Sequence, residues 1–211
     1  MTDILVFIKK SLLLSLVLMF STAQAANDKS AEQVISALNP VNIASGTFVQ
    51  RKYFNVLKQP IISQGEIHFE KDLGLLWQTN KPIHSQMLLK NSGLYSDDGI
   101  NPIKKIKGAG AVASAMMSTM MGDTETILQE FEIKSTSKNH CVNLIPNDVQ
   151  LSKIINAIEL CSKTAKLNSN TKQNNILDYV ILHEKSGNRT EIQLQFNSVN
   201  VLSEEIRAQL Q

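Results

Sequence analysis

Few of the residue patterns that mark enzymes occur in this sequence. It has no HExxH, GxSxG, Walker or GxGxxG motif, so the common zinc, hydrolase and nucleotide sites are not indicated. Asp97 and Asp98 precede a glycine, a pattern more typical of a turn than of paired catalytic carboxylates. We therefore expect a protein that is not an enzyme and has no cofactor. The four histidines are dispersed along the chain: His68, His84, His140 and His183.

Cysteine is scarce as well, with Cys141 and Cys161 the two present. Both fall in segments that alternate like strands, and neither has a histidine at the spacing of a zinc site, so no metal is expected. An even count favours a disulfide in an oxidising compartment, where closing a loop of about 20 residues contributes roughly 3 kcal/mol. Two buried free thiols are the alternative.

The sequence lacks an apolar run long enough to cross a bilayer, which needs roughly 20 residues. Its longest run, residues 11–20, follows Lys9 and Lys10 and is followed by the small-x-small pattern of residues 23–25. This arrangement predicts a signal peptide over residues 1–25, with an N-terminal anchor or a buried helix as the alternative. The predicted mature chain, residues 26–211, is the right length for a single domain.

An excess of basic charge is also missing, since the net charge is +2. The densest basic group, Lys104, Lys105 and Lys107, reads as a solvated loop. Nucleic-acid binders concentrate basic residues on one face, so no nucleic-acid partner is expected.

Period-two alternation of apolar residues dominates the chain from residue 44 onwards and predicts an antiparallel sheet. A short helix is expected before it, over residues 30–38, with Ser30 as N-cap. A polar segment, residues 162–175, reads as a hairpin loop. The fold class is therefore α+β, with a helical pair inserted midway. The predicted strands cover residues 44–54, 61–69, 75–79, 85–90, 94–96, 131–133, 142–144, 158–160, 176–183 and 191–196.

The inserted segment, residues 108–121, is small and apolar and carries a methionine stripe. Met116, Met117, Met120 and Met121 fall on one face of a helix, and Gly122 suits the position after its end. A second helical turn is predicted to begin at residues 123–125. Methionine is flexible and polarizable, so such a stripe serves either as ordinary core or as an adaptable apolar surface.

Three segments together resemble the opening of the LolA-type periplasmic carriers of outer-membrane lipoproteins: residues 46–50 (GTFVQ), Gly65 and residues 77–82 (WQTNKP). Residues 144–146 and 184–190 extend the resemblance over the mature chain. The pattern is most similar to a divergent branch, so the cargo is a lipoprotein or another lipid.

The resemblance implies an incomplete antiparallel β-barrel, a curved sheet covered by a helical lid, with a cavity that shelters acyl chains. It implies a monomer that takes cargo from an inner-membrane transporter and gives it to an outer-membrane acceptor. Lys71 occupies the position of the family's arginine, which latches the lid. The lid is mapped onto Met116, Met117, Met120 and Met121, and the cavity lining onto Phe48, Ile67, Phe69, Leu75, Trp77, Met87 and Leu89.

Two other functions fit the sequence less well. A LolA-like envelope sensor or adaptor would bind lipidated proteins and signal to a membrane partner. An envelope hydrolase would need a catalytic site that the motifs do not indicate.

Overall fold

The computed structural model describes residues 29–38, 41–90, 93–97, 103–106, 117–119, 123–165, 174–199 and 201–211. The predicted signal peptide and three residues of the predicted lid, Met116, Met120 and Met121, lie outside these ranges.

The strands form one antiparallel sheet in the order β6-β5-β4-β3-β2-β1-β11-β10-β9-β8-β7. Because β6 and β7 lie at opposite edges of the sheet, it does not close on itself within the described residues, which confirms the predicted incomplete barrel. The strands are β1 (Ile43–Tyr53), β2 (Ile61–Glu70), β3 (Gly74–Lys81), β4 (Ser85–Lys90), β5 (Gly93–Asp97), β6 (Lys104–Lys105), β7 (Phe131–Ser135), β8 (Cys141–Pro146), β9 (Ile155–Ala165), β10 (Asn174–Glu184) and β11 (Arg189–Val199).

In the described ranges, the α-helices longer than one turn are α1 (Lys29–Ser36), α2 (Thr124–Glu130) and α3 (Glu204–Leu210). A short 3-10 helix, Leu151–Lys153, precedes β9. Residues 117–119 are also helical, within the segment predicted to be a methionine helix. None of the helices in the described ranges has the length and apolar character to cross a bilayer.

Three local predictions need correction. Ser30 is not an N-cap, because it lies inside α1, where its Oγ is 2.6 Å from the Oγ of Ser135. Lys104 and Lys105, which were expected in a loop, form the short strand β6, which pairs with β5. The polar segment begins later than predicted, because β9 and β10 stay paired as far as Ala165 and Asn174.

The two faces of the sheet carry separate apolar clusters, as expected from the alternation of side chains along a strand. Leu75 and Trp77 of β3 lie on the inner face, in a large buried cluster to which nearly every strand contributes. Leu76, between them, lies on the outer face in a small cluster with Leu210 of α3. The inner face therefore holds most of the core.

Glycines allow the sheet to curve at two of its register shifts. Gly46 follows a shift between β1 and β11, and Gly65 follows one between β2 and β3. A Cβ at Gly65 would overlap the backbone carbonyl oxygen of Gln78, and one at Gly46 would overlap that of Gln195. Such close backbone approaches at bulges bend the strands and increase their twist.

Cys141 and Cys161 face each other across β8 and β9, with a Cα–Cα distance of 4.1 Å, and are joined by a disulfide. Their neighbours Val142 and Leu160 point to the inner face, so the bridge lies on the outer side. It ties together two strands near the β7 edge.

Candidate functional site: an apolar cavity on the inner face

The inner face encloses a cavity of about 20 Å³. It lies between the two halves of the sheet, with residue 119 above it. All its lining residues except Thr119 are apolar: Ile67, Trp77, Ile158, Leu160, Leu177, Val180, Leu182, Ile192 and Leu194.

Its volume decides what the cavity holds in this conformation. A water molecule needs about 10–15 Å³ and two to four polar partners, and the lining offers hardly any. The cavity is therefore expected to be dry. It is also far too small for an acyl chain, which would need the inner face to open.

An aromatic pair packs on the inner face beside the cavity. Phe48 of β1 and Trp77 of β3 have ring centroids 3.9 Å apart and planes inclined by 32°. The strand between them, β2, presents Gly65 directly opposite Phe48. Because Gly65 has no side chain, the two rings meet across it. The three motif residues of the sequence resemblance thus form one physical cluster.

The structure places the seven predicted lining residues on the same face. Ile67 and Trp77 border the cavity itself. The others belong to the surrounding cluster: Phe48, Phe69, Leu75 and Leu89 are buried, and Met87 packs against them partly buried.

Sequence reasoning missed the part of the lining that comes from β9, β10 and β11. Leu160, Val180 and Ile192 occupy neighbouring register positions on these three strands. Their alternating apolar pattern was visible in the sequence and predicted their strands. It did not predict that β11 would pair with β1, which brings these three strands opposite Trp77.

Residues 117–119 cover the inner face. Met117 is 8% exposed and belongs to the inner cluster, while Ser118 and Thr119 are also buried. The carbonyl oxygen of Ser118 accepts a hydrogen bond of 2.9 Å from the backbone N–H of Asp123. The segment is thus linked directly to the start of α2.

Asp123 is the N-cap of α2. Its carboxylate accepts a hydrogen bond of 2.7 Å from the Thr126 hydroxyl and one of 3.1 Å from the Thr126 backbone N–H. These bonds hold the pKa of Asp123 below its ordinary value, and the charge of Lys71 lowers it further. Lys71, the predicted latch position, makes only the smallest contribution to this lowering, after the two hydrogen bonds from Thr126.

A larger and more polar hollow, of about 530 Å³, lies between α1 and the turn from β7 to β8. Ser162, one of its lining residues, has its hydroxyl 3.5 Å from the backbone carbonyl of His140, to which it donates. That bond does not involve the imidazole, so the two residues do not form a nucleophile–base pair. The lining residues are Ser30, Ala31, Gln33, Val34, Ala37, Ser135, Thr136, Lys138, Asn139, His140, Cys141, Ser162, Thr164 and Asn175.

One arrangement of hydroxyl, imidazole and carboxylate lies elsewhere on the sheet. Ser45 Oγ is 3.0 Å from His68 Nδ1, and His68 Nε2 is 3.4 Å from Glu66 Oε2. Acyl-transfer sites use these groups in this order together with a place for the substrate carbonyl. None of the three residues lines either cavity described above, so the simpler role is to provide a polar partner for a buried histidine.

His140, Cys141 and Cys161 bring potential metal-ligand atoms within 4.8 Å of one another. Both sulfur atoms are joined in the disulfide, whereas metals bind the thiolate. In the oxidised protein these residues are therefore a disulfide with a neighbouring histidine.

No protein-family model and no curated protein sequence matches the chain. Among solved structures, a DUF1329 family protein from Desulfovibrio piger is similar at a TM-score of 0.50 and 12% identity, over 88% of this chain and 99% of that one. A LolA superfamily protein from Nitrosomonas europaea is similar at 0.49 and 9%, over 85% and 96%. An outer membrane lipoprotein-sorting protein domain from Vibrio parahaemolyticus, described as putative, is similar at 0.47 and 9%, over 86% and 97%.

At these identities the likeness is one of fold. The sequence motifs predicted a divergent relationship to the LolA type, and the unclosed antiparallel sheet with its covered inner face agrees with that prediction. The chain therefore has the overall fold of the DUF1329 family protein, and its unclosed, covered antiparallel sheet is of the kind that the LolA-type resemblance implied.

Proposed function

We propose that this protein is a non-enzymatic carrier that shelters the acyl chains of a lipoprotein or lipid against the inner face of its sheet. The observation that carries the proposal is the closed, almost wholly apolar cavity between the two halves of an unclosed sheet. A sheet with free edges can widen such a cavity, whereas a closed barrel of the same size has a fixed circumference.

Hydrocarbon burial supplies the driving force. Each methylene transferred from water contributes about 0.8 kcal/mol, so a chain of about 16 carbons contributes about 12 kcal/mol. Exposing Met117 to make room costs roughly 2 kcal/mol on the same scale. On this scale the hydrocarbon contribution is several times the cost of exposing Met117.

Opening begins, in this proposal, at residues 117–119. Their attachments include the burial of Met117 and the hydrogen bond from the Asp123 N–H to the Ser118 carbonyl. The two Thr126 hydrogen bonds favour the ionised N-cap at Asp123, to which the segment is linked, and the charge of Lys71 adds a smaller effect in the same direction. A lysine provides a point charge in place of the planar donor fork of an arginine, so this latch is weaker than the one implied by the family resemblance.

The cellular setting follows from the predicted signal peptide over residues 1–25. The mature chain would work in the periplasm as a monomer, receive cargo from an inner-membrane transporter and release it to an outer-membrane acceptor. An acyl chain cannot cross that aqueous space unassisted at a useful rate, which is the need that a carrier meets.

Native mass spectrometry of the protein purified from a periplasmic extract tests the proposal. We expect a bound lipid, whose mass would identify its class. Protein that is folded and free of lipid under these conditions, and that takes up none from added vesicles, would contradict the carrier function.

A photoreactive fatty acid locates the bound chain without altering the protein. We expect peptide mapping to place the crosslinks at cavity residues such as Leu160 and Leu182. Leu202, in the outer cluster, serves as the internal control. Labelling concentrated at Leu202 or in the polar hollow would show that acyl chains do not enter the inner face.

A further inference from the structure

Four chain connections meet at one end of the sheet, and we define this loop end as residues 54–62, 81–84, 147–154 and 185–188. Hydrogen bonds join three of these connections, and the pairing of Gln64 with Lys81 places the fourth beside β2. Asn55 Nδ2 donates to the Ser186 carbonyl at 2.8 Å, and the Asn55 N–H donates to Asn188 Oδ1 at 3.2 Å. The Lys185 N–H donates to the Ile154 carbonyl at 2.8 Å. The loop end is therefore a continuous surface.

Large apolar side chains are exposed along this surface. Val56 is 89% exposed and Ile83 is 77% exposed. Ile61 and Ile62 point to opposite faces of β2, yet both are about half exposed, so this hairpin projects beyond the packed body of the sheet. Single exposed apolar residues are common, whereas a group of them marks an interaction site. The exposed apolar residues of the loop end are Val56, Leu57, Ile61, Ile62, Ile83, Val149 and Ile154.

The charge of the loop end is positive. Lys58, Lys81, Lys153 and Lys185 belong to it, and none of them takes part in an ion pair within the described ranges. Asp148 is the acidic residue of the loop end, and its Oδ1 accepts a 2.7 Å hydrogen bond from the backbone N–H of residue 151. At its border, Glu184 pairs with Lys52 at 3.2 Å.

We propose that the loop end docks on the surface of an anionic lipid bilayer, with Val56, Leu57 and Ile83 entering the headgroup region. Membrane-surface binding of this kind combines inserted apolar side chains with basic residues that face anionic lipids. Tyr53 and Phe54, at the base of the projecting hairpin, are the residue types that settle at such an interface. This property goes beyond carriage, and the cavity can load whether or not the loop end binds.

Flotation with lipid vesicles tests the docking. The protein is purified from a periplasmic extract, and mass spectrometry of its N-terminus verifies that no leader remains. It is then mixed with phosphatidylcholine vesicles that contain either no anionic lipid or about 30% phosphatidylglycerol, an anionic content of the order that supports binding of basic patches. We expect flotation with the anionic vesicles and a loss of flotation at high salt, because screening weakens attraction between exposed charges.

Matched substitutions at the two ends of the sheet assign the effect to the loop end. Val56→Asp is compared with Val201→Asp, a second exposed valine that lies beyond the last strand at the opposite end. Lys58→Gln and Lys185→Gln are each compared with Lys90→Gln, which removes the same charge at the far end. Each removed loop-end cation is expected to lower the vesicle partition about fivefold.

The outcomes separate docking from carriage. Lost flotation of the loop-end variants, with their co-purified lipid unchanged and the far-end variants behaving as wild type, supports the proposal. Equal losses at both ends would overturn it, since only general charge would matter. Flotation that needs neither anionic lipid nor the loop-end residues, or no flotation at all, would also overturn it and would leave a protein partner as the occupant of this surface.

Discussion

Replacing Leu160 by alanine should make the inner-face cavity larger and easier to load. Leu160 borders the cavity and is 4% exposed. The matched control is Leu76→Ala, which removes the same atoms from a fully buried leucine on the opposite face of the sheet. The two variants therefore differ in where the space opens and not in the chemistry that is lost.

Both substitutions should lower the free energy of unfolding of the lipid-free protein by about 3–4 kcal/mol. The transfer of the lost carbon groups accounts for roughly 2.4 kcal/mol, and incomplete relaxation around the new space adds a volume-dependent amount. At Leu160 the new space joins the existing volume of about 20 Å³. At Leu76 it opens beneath α3, away from the proposed acyl site.

The assay is urea unfolding followed by circular dichroism, with and without dodecanoate below its micelle concentration. A ligand at about 100 times its dissociation constant raises the free energy of unfolding by about 2.7 kcal/mol. We expect dodecanoate to stabilise Leu160→Ala more than the wild type, because less of the cavity has to be opened. It should stabilise Leu76→Ala as much as the wild type.

The reasoning is refuted if dodecanoate stabilises both variants equally, or if it stabilises Leu76→Ala more. Either result would mean that the acyl chain binds somewhere other than the inner face. In the absence of dodecanoate the two variants should lose the same free energy of unfolding, which verifies that the comparison is matched.

Further predictions concern the sheet, the helix start and the pH dependence. Gly65→Ala should cost about 1–3 kcal/mol of unfolding free energy in urea titrations, because its Cβ overlaps a backbone carbonyl, and no loss would contradict the close approach. Asp123→Ala should lower the free energy of unfolding by about 1 kcal/mol, because it removes the N-cap of α2. Because the folded-state pKa of Asp123 is lowered, its ionised form stabilises the fold at pH values above the ordinary carboxyl pKa, and this stabilisation is lost as pH falls; the variant should therefore lose less stability in acid. Burial and the 2.7 Å hydrogen bond to Glu191 raise the pKa of Tyr179 to about 12, so stability should fall as pH rises from about 10 to 12. Absorbance titration at alkaline pH should show the Tyr179 phenol ionising at this high pH, and Glu191→Gln should lower the pKa of Tyr179.

The strands were readable from the sequence because nearly all of them have one buried face. Alternation predicted β1 to β5 and β7 to β11 within a few residues. Strand β6 has two lysines and no buried face, so it leaves no such pattern. Helix α3 did leave a signal, Ser203 followed by two glutamates, which is a common helix start. That signal was overlooked.

The site was harder to predict, because it depends on pairing between distant parts of the chain. Ile67 and Trp77 lie on adjacent strands that are close in sequence, and they were assigned to the lining. Leu160 and Ile192 reach the same cavity because β1 pairs with β11, and these two strands lie more than a hundred positions apart in the sequence. A single sequence shows which side chains share a face but not which strands become neighbours. The contact of Ser45 with His68 likewise follows from register alone.

The unclosed sheet leaves two border strands whose outward backbone groups could recruit a strand from another molecule. At one border, β6 is only two residues long and consists of Lys104 and Lys105, so a second copy would meet like charges on a very short template. At the other, β7 is packed by α1 and α2 and carries the exposed charged residues Glu132 and Lys134. If the protein is the carrier proposed above, the borders separate to admit cargo without seeding fibrils between copies of the chain.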